Sequence, residues 1–437
     1  MANNAKIVTL IDSSGSMKSS GYLEPAKSDA DTFINMFQPN DEFAVISFET
    51  TIHRTYPTSA TLAVYSSPQV MEEASAAIQA IRSGNTTNIG DALIAANNLL
   101  QPKQEPRGTV LLSDGYWNVG PDPLDVLDKD IRTYTIALGN NGQLDLLRQI
   151  ANETQGQYFF SPDEIGLASI YFDILEYGQV GQIVNNAFKT VDNGGSLRVP
   201  VKLSDGLDSA SVGVNWADPS IPFDPTGTGE GVSVRILDPN FKVAHPPITD
   251  RDYGFVVYTL DQPIGGTWQF DCFYRGSNVA NITVGALDPD LVLALELDAP
   301  RHTLAAGHPV AIPARVTFEG EPLEDVKLQA TVEAPAVSTA EALARHAVEL
   351  ETIELDDDVA PNPFARLTAL RRQKLPYVDI MPRYTARAKV DRRSATQRVV
   401  EVATDKPGEY TLRVQAQGRH PRGGEFMRTK HVTLTVR

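Results

Sequence analysis

Three short stretches carry the side chains best suited to chemistry. TLIDSSGSMKSS, residues 9–20, sets Asp12, Ser14 and Ser16 at alternate positions after an apolar run. GNTTNIGDAL places Thr87 and Gly90 just ahead of a helical pattern, and LLSDGYW places Asp114 directly after a run typical of a buried strand. D-x-S-x-S alone decides nothing, because residues this common produce it by chance in about one chain in eight of this length. Together the stretches offer two carboxylates and three hydroxyls, all of them oxygen donors. That set suits a hard divalent cation, since magnesium takes about six oxygens and usually keeps some waters. Softer metals call for His or Cys, and neither lies in these stretches. Two negative charges would balance the cation and leave a position for an acidic side chain from another molecule. Gly15 and Gly90 are expected to let backbone pass close to the ion, where a Cβ would crowd it.

The elements that must position these residues alternate between strand and helix. KIVTLI, residues 6–11, is a short apolar run rich in β-branched residues. Leu23, Ala26, Ala30, Phe33, Ile34 and Phe37 then recur at three- and four-residue spacing, one face of an amphipathic helix. A strand over EFAVISFET, a hairpin partner in TIHRTYP, a helix over 68–82 and another after Gly90 follow. The strand GTVLLSD, a short helix around 123–127, the strand RTYTIALG, the helix QLDLLRQIA, the strand QYFF and the helix IGLASIYFDIL complete the series. Such alternation predicts an α/β fold, a doubly wound, mostly parallel sheet over residues 1–180. Binding loops in such sheets gather at the carboxyl ends of the strands, where all three stretches fall.

After about Gly181 helical periodicity fades, and two-residue alternation appears in SLRVPVKL, GVSVRIL, FVVYTL and TWQFDCFY. This predicts a β-sandwich over 181–297, with Trp216 and Trp268 in its core. A second all-β sandwich is expected over 298–437, ending in the strands GEYTLRVQA and HVTLTV. Within it, residues 335–398 read as an irregular insertion. Ser338 followed by Glu341 marks a capping box and a short helix, while DDD at 356–358 and ALRRQK have no clear period.

Composition bounds the function. The chain has 437 residues, 42% hydrophobic and 21% charged, which is globular and long enough for two or three domains. No apolar run approaches the ~20 residues of a membrane helix. No signal-peptide pattern opens the chain, so the sequence as it stands is expected in the cytoplasm, or outside the cell if a leader has been removed. Cys272 is the single cysteine, which excludes an internal disulfide and a cysteine-built zinc site. The formal charge is -17, yet residues 359–437 hold 17 Lys and Arg against 6 Asp and Glu, so residues 1–358 carry -28. An acidic body argues against nucleic acid as the main partner. The basic end either complements that body, within the fold or across an oligomer, or receives a separate acidic partner.

DSSGS, Thr87 in T-N-I-G and Asp114 in L-L-S-D-G resemble the full metal-ion-dependent adhesion site of a von Willebrand factor type A domain, and the order of strands and helices over 1–180 resembles that fold. The resemblance implies that Asp12, Ser14, Ser16, Thr87 and Asp114 hold Mg2+, or Mn2+ or Ca2+ in its place, directly or through water, and that a protein partner supplies Glu or Asp. Thr86 competes with Thr87, which stands in the T-x-I-G spacing. QPIGGTWQFDCFY and PGEYTLRVQAQG resemble the C-terminal β-sandwiches of bacterial type A domain proteins related to calcium-activated chloride channel regulators and hemicentins. Those relatives commonly carry a secretion signal.

Other chemistries find little footing. H-E-x-x-H is absent, and SSGS does not belong to a G-x-x-x-x-G-K-[ST] phosphate loop. A serine nucleophile would need a histidine base, and His53, the single His of the first 180 residues, reads as structural. Asp356 to Asp358 read as a solvated loop or a calcium site. Tyr116 and Trp117 either contact a partner beside Asp114 or pack beneath its loop. The expected function is non-enzymatic, divalent-metal-dependent protein binding. The alternatives are an intracellular scaffold recruiting clients to an AAA+ ATPase, and a hydrolase whose metal activates water.

Overall fold

The computed structural model describes residues 4–114, 117–139, 144–162, 166–216, 218–252, 254–289, 291–355, 362–374 and 378–437. Strands β1 (Lys6–Asp12), β2 (Glu42–Phe48), β5 (Arg107–Ser113), β6 (Arg132–Leu138) and β7 (Tyr158–Ser161) run parallel, with β3 (Ile52–Tyr56) and β4 (Ala63–Val64) antiparallel to β2. Their order is β3-β2-β1-β5-β6-β7. From β1 the chain builds first to one side and then to the other, so the crevice between β1 and β5 is the topological switch point.

The sheet is covered on both faces. Ile7 and Ile11 of β1 face a core built with α2 (Leu23–Asn35), α3 (Pro68–Gln79) and α6 (Leu167–Tyr177), after the short α1 (Gly15–Ser19). Val8 and Leu10, the alternate positions, face a second core built with α4 (Ile89–Leu100) and α5 (Leu144–Glu153). Burial on both faces is why these strands read as continuous apolar runs.

The short helix expected at 123–127 is instead a turn. Asp122 accepts from the backbone N–H of Leu124 at 2.9 Å, its carbonyl accepts from Asp125 at 3.1 Å, and Leu124, Val126 and Leu127 lean on the α4 core. The Asp125 N–H reaches back three residues, to Asp122, which closes a turn instead of starting the four-residue bonds of a helix.

Residues 182–288 form two facing antiparallel sheets of five and four strands, with Trp216 and Trp268 buried between them. Residues 293–436 form a second such pair. The irregular insertion expected at 335–398 is ordered differently. It holds the helices Thr339–Arg345, Ala347–Glu351 and Pro363–Lys374, and then the strands Arg383–Arg387 and Lys389–Arg392. Ser338 and Glu341 do make a capping box. The third helix escaped detection because its buried pair, Leu367 and Leu370, sits among arginines. Residues 356–361 lie outside the described residues. Among the described residues no helix is long and apolar enough to cross a membrane.

Two devices join the domains. Gly213 and Gly285 pair across adjacent sandwich strands, and the ring of Phe172 on α6 rests against both, so a Cβ on Gly285 would stand 2.3 Å from the ring. The last strand, Glu425–Val436, then runs between all three domains. Met427 enters the sandwich core, Lys430 pairs with Glu176 of α6 at 2.6 Å, and His431 pairs with Asp173 at 2.8 Å. Much of the basic end thus complements the acidic body within the fold.

Candidate metal centre

The carboxylates stand at the ends of neighbouring strands. Ile11 lies beside Leu112 in the β1–β5 register, so Asp12 and Asp114 emerge at one edge of the sheet. Both are fully buried. Asp12 ends β1, and its Oδ1 accepts from the backbone N–H of Ser14 at 2.9 Å. Its Oδ2 accepts from the Ser113 hydroxyl at 2.5 Å. The hydroxyls of Ser14 and Ser16 lie 3.1 Å apart as the chain turns into α1.

Hydrogen bonds knit the three loops together. Ser13 donates its backbone N–H and its hydroxyl to the Phe48 carbonyl, at 2.8 and 3.1 Å, which ties the first loop to β2. The first and second loops are joined by Gly84 N–H to Ser13 O at 2.8 Å and Gly15 N–H to Asn85 O at 3.3 Å. Thr87 and Asn118 join the second and third. The Thr87 N–H donates to Asn118 Oδ1 at 3.0 Å, and the Asn118 N–H donates to the Thr87 carbonyl at 3.2 Å. Asn88 caps α4 by accepting from Asp91 N–H at 3.1 Å.

The two threonines differ in their commitments. The Thr86 hydroxyl donates to the Thr50 hydroxyl at 2.8 Å, whereas Thr87 is buried in the loop that reaches Asn118. The role expected of Gly90 changes: a Cβ there would meet the Pro121 carbonyl at 2.2 Å, so its bareness admits the neighbouring loop. Gly120, at φ +82°, does the same for the Asn88 side chain. Trp117 is half-buried and packs against the α4 core. Tyr116 lies outside the described residues. His53 is exposed on β3 and bonds Thr51 and Glu49. Burial acts to raise the Glu49 carboxyl, but hydrogen bonds from Thr51, Thr50 and His53 prevail and hold it down at about 2.

Ser113, Asn118 and Gly120 were missed from sequence. Each acts through a partner distant along the chain, and only the hydroxyl of Ser113, directly before Asp114, gave any local sign.

Electrostatics support a cation. Burial, and then the neighbouring Asp114, push the Asp12 carboxyl up to about 7, against the hydrogen bonds from Ser113 and Ser14. A positive charge placed between the two would remove that penalty. Among the described residues no three His, Cys, Asp or Glu side chains gather, so this donor set depends on hydroxyl oxygens. Two carboxylates with three hydroxyls fit a hard dication.

Residues 6–172 match the family model of the von Willebrand factor type A domain. The type A fold then gives way to antiparallel sheets. The chain is similar in structure to a von Willebrand factor type A protein from Catenulispora acidiphila, with 15% identity, a TM-score of 0.39, and coverage of 73% of this chain and 63% of that one. It is also similar to the ArnB paralog VWA2 from Sulfolobus acidocaldarius, with 14% identity, a TM-score of 0.32 and the same coverages of 73% and 63%. A third is the vWF domain of the type V pili tip protein Mfa5 from Porphyromonas gingivalis, with 12% identity, a TM-score of 0.33, and coverage of 40% and 95%. This chain thus spans less than two thirds of the first two. No curated protein matches it.

Proposed function

We propose that the type A domain is a divalent-metal-dependent protein-binding module without turnover, in which Asp12, Ser14, Ser16, Thr87 and Asp114 hold Mg2+. One observation carries the reading: two fully buried carboxylates share one sheet edge, and burial and mutual repulsion raise Asp12 to about 7. When bound, the cation supplies a Lewis-acidic position open to a carboxylate of a protein partner. The chain's own residues do the rest. Ser113 and the Ser14 N–H orient the two oxygens of Asp12, the Thr87–Asn118 pair holds the second loop against the third, and Asn88 fixes the start of α4. A charge-assisted contact at the centre of an interface is expected to dominate binding, so loss of one ligand abolishes capture rather than trimming it.

The test is capture of partners from native lysate by the full chain, with Mg2+ or with EDTA, beside Asp12→Ala and Asp114→Ala. Capture by the wild type in Mg2+ alone, and by neither variant, is expected. Undiminished capture in EDTA would sink the reading.

A further inference from the structure

A second site lies beyond the carboxyl end of β7, where all three domains meet. A cleft of about 330 Å3 opens there, near the lower end of ligand-site volumes. Its floor is the polar face of a C-terminal sheet. Thr331, Arg413 and His431 form one cross-strand row, and Glu333, Thr411 and Thr433 the next. Ser169 and Asp173 of α6, with Asn186, form a wall.

Arg413 is the one arginine or lysine in this lining, and among the described residues no carboxylate bonds it. Its Nη2 donates to Asn185 Oδ1 at 3.1 Å and to the Asn186 carbonyl at 2.7 Å, both neutral acceptors. Among the described residues its buried Nε finds no hydrogen-bond partner. Among the described residues the carboxylates around it are taken. Asp173 accepts from His431 at 2.8 Å and from Asn186 at 3.2 Å, and Glu333 accepts from Arg383. Burial pulls the Arg413 guanidinium below its ordinary value, with Asp173 opposing the shift. A planar guanidinium bonded only to neutral oxygens is suited to an incoming oxyanion. Beside it, the hydroxyls of Thr331 and Thr411 make no hydrogen bond among the described residues and can serve a ligand's hydroxyls.

We propose that this cleft binds a small hydroxylated carboxylic acid, its carboxylate on Arg413 and its hydroxyls on the threonine rows. The cleft shares no lining residue with the proposed metal centre, so the test runs on protein stripped of metal and then dialysed free of chelator. The full chain is titrated calorimetrically with malate, gluconate, acetate, inorganic phosphate, glucose and an acetylated Gly-Glu-Gly peptide. Malate or gluconate is expected to bind, and glucose is not. Arg413→Gln should weaken the acids about tenfold or more. Thr411→Val, a nearly isosteric change at a half-buried position, should weaken the hydroxylated acids about three- to tenfold and leave acetate unchanged. Absence of binding by every acid, or binding unaffected by both substitutions, would overturn the proposal. So would phosphate binding as tightly as gluconate, or the peptide binding more tightly than the free acids, since either assigns the site to another oxyanion source.

Discussion

Arg428 and Asp288 form an ion pair of 2.6 Å with side chains only 3% and 2% exposed, joining the last strand of the chain to the end of a sandwich strand. The guanidinium is satisfied on its other sides as well, donating to the carbonyls of Leu293 at 3.0 Å and Met427 at 2.9 Å. Taking two charges out of water is costly, and such a pair survives when further hydrogen bonds complete it.

Removing one partner should therefore hurt more than removing both. Arg428→Met leaves a buried, uncompensated carboxylate and is expected to cost about 3–5 kcal/mol, whereas Arg428→Met with Asp288→Leu recovers most of that loss. Urea denaturation of the full chain measures both. A silent single variant would mean that the pair is hydrated in solution.

The Phe172 contact gives a second, apolar prediction. With a Cβ on Gly285 only 2.3 Å from the ring, Gly285→Ala forces the ring or the strand aside, at a cost of about 1–3 kcal/mol. The effect should fall on domain docking, so limited proteolysis is expected to cut between α6 and the sandwich in the variant before it does so in the wild type. Phe172→Leu in the Gly285→Ala background should restore part of the protection. Identical cleavage of wild type and Gly285→Ala would remove Phe172 from any fastening role.

Much of this molecule is legible in its sequence where a residue's environment is decided locally. The β1 run KIVTLID is buried on both faces and reads so. The three loops carry their donor atoms within a few residues of a strand end. Partnership over long distances leaves no such trace. Asp12 needs Ser113, 101 positions away, and nothing near Asp12 signals it. The end of the last strand, HVTLTV, alternates polar and apolar residues as a strand with one wet face would, while Arg428 to His431 form an unbroken polar run. Its polar Lys430 and His431 instead meet Glu176 and Asp173 of another domain. The helix Pro363–Lys374 stayed hidden for a related reason: arginines that reach neighbouring segments, such as Arg371 donating to the Pro162 carbonyl at 2.8 Å, blur its apolar period.

Glu409 predicts a pH dependence. Burial pushes its carboxyl up to about 7, although the Thr435 hydroxyl donates to it at 2.7 Å. The unfolded chain releases this proton near the ordinary value of 4.5, so above that pH the folded state binds more protons. The stabilising contribution is complete below about 4.5 and is lost as pH rises through about 7, in total about 3 kcal/mol. Glu409→Gln keeps an acceptor for Thr435 and cannot ionise. It is expected to flatten the fall in stability between pH 5 and 8 and to be more stable than wild type at pH 8. Parallel stability profiles for the two proteins would place the titration elsewhere.

The proposed metal centre yields a prediction with opposite signs under two conditions. Asp12 and Asp114 are buried together and repel, which helps raise the Asp12 carboxyl. Asp114→Asn removes that repulsion at almost constant shape, so in EDTA the variant should be more stable than wild type by on the order of 1 kcal/mol. With Mg2+ the ranking reverses. The wild type gains about 2.7 kcal/mol at a concentration one hundred times its Kd, while the variant lacks one of the two charges that hold the ion and gains little. Thermal melts of both proteins in EDTA and across a Mg2+ series should therefore cross. A purely structural role for Asp114 would make the variant weaker in EDTA, and a Mg2+ response equal to wild type would remove Asp114 from the ligand set.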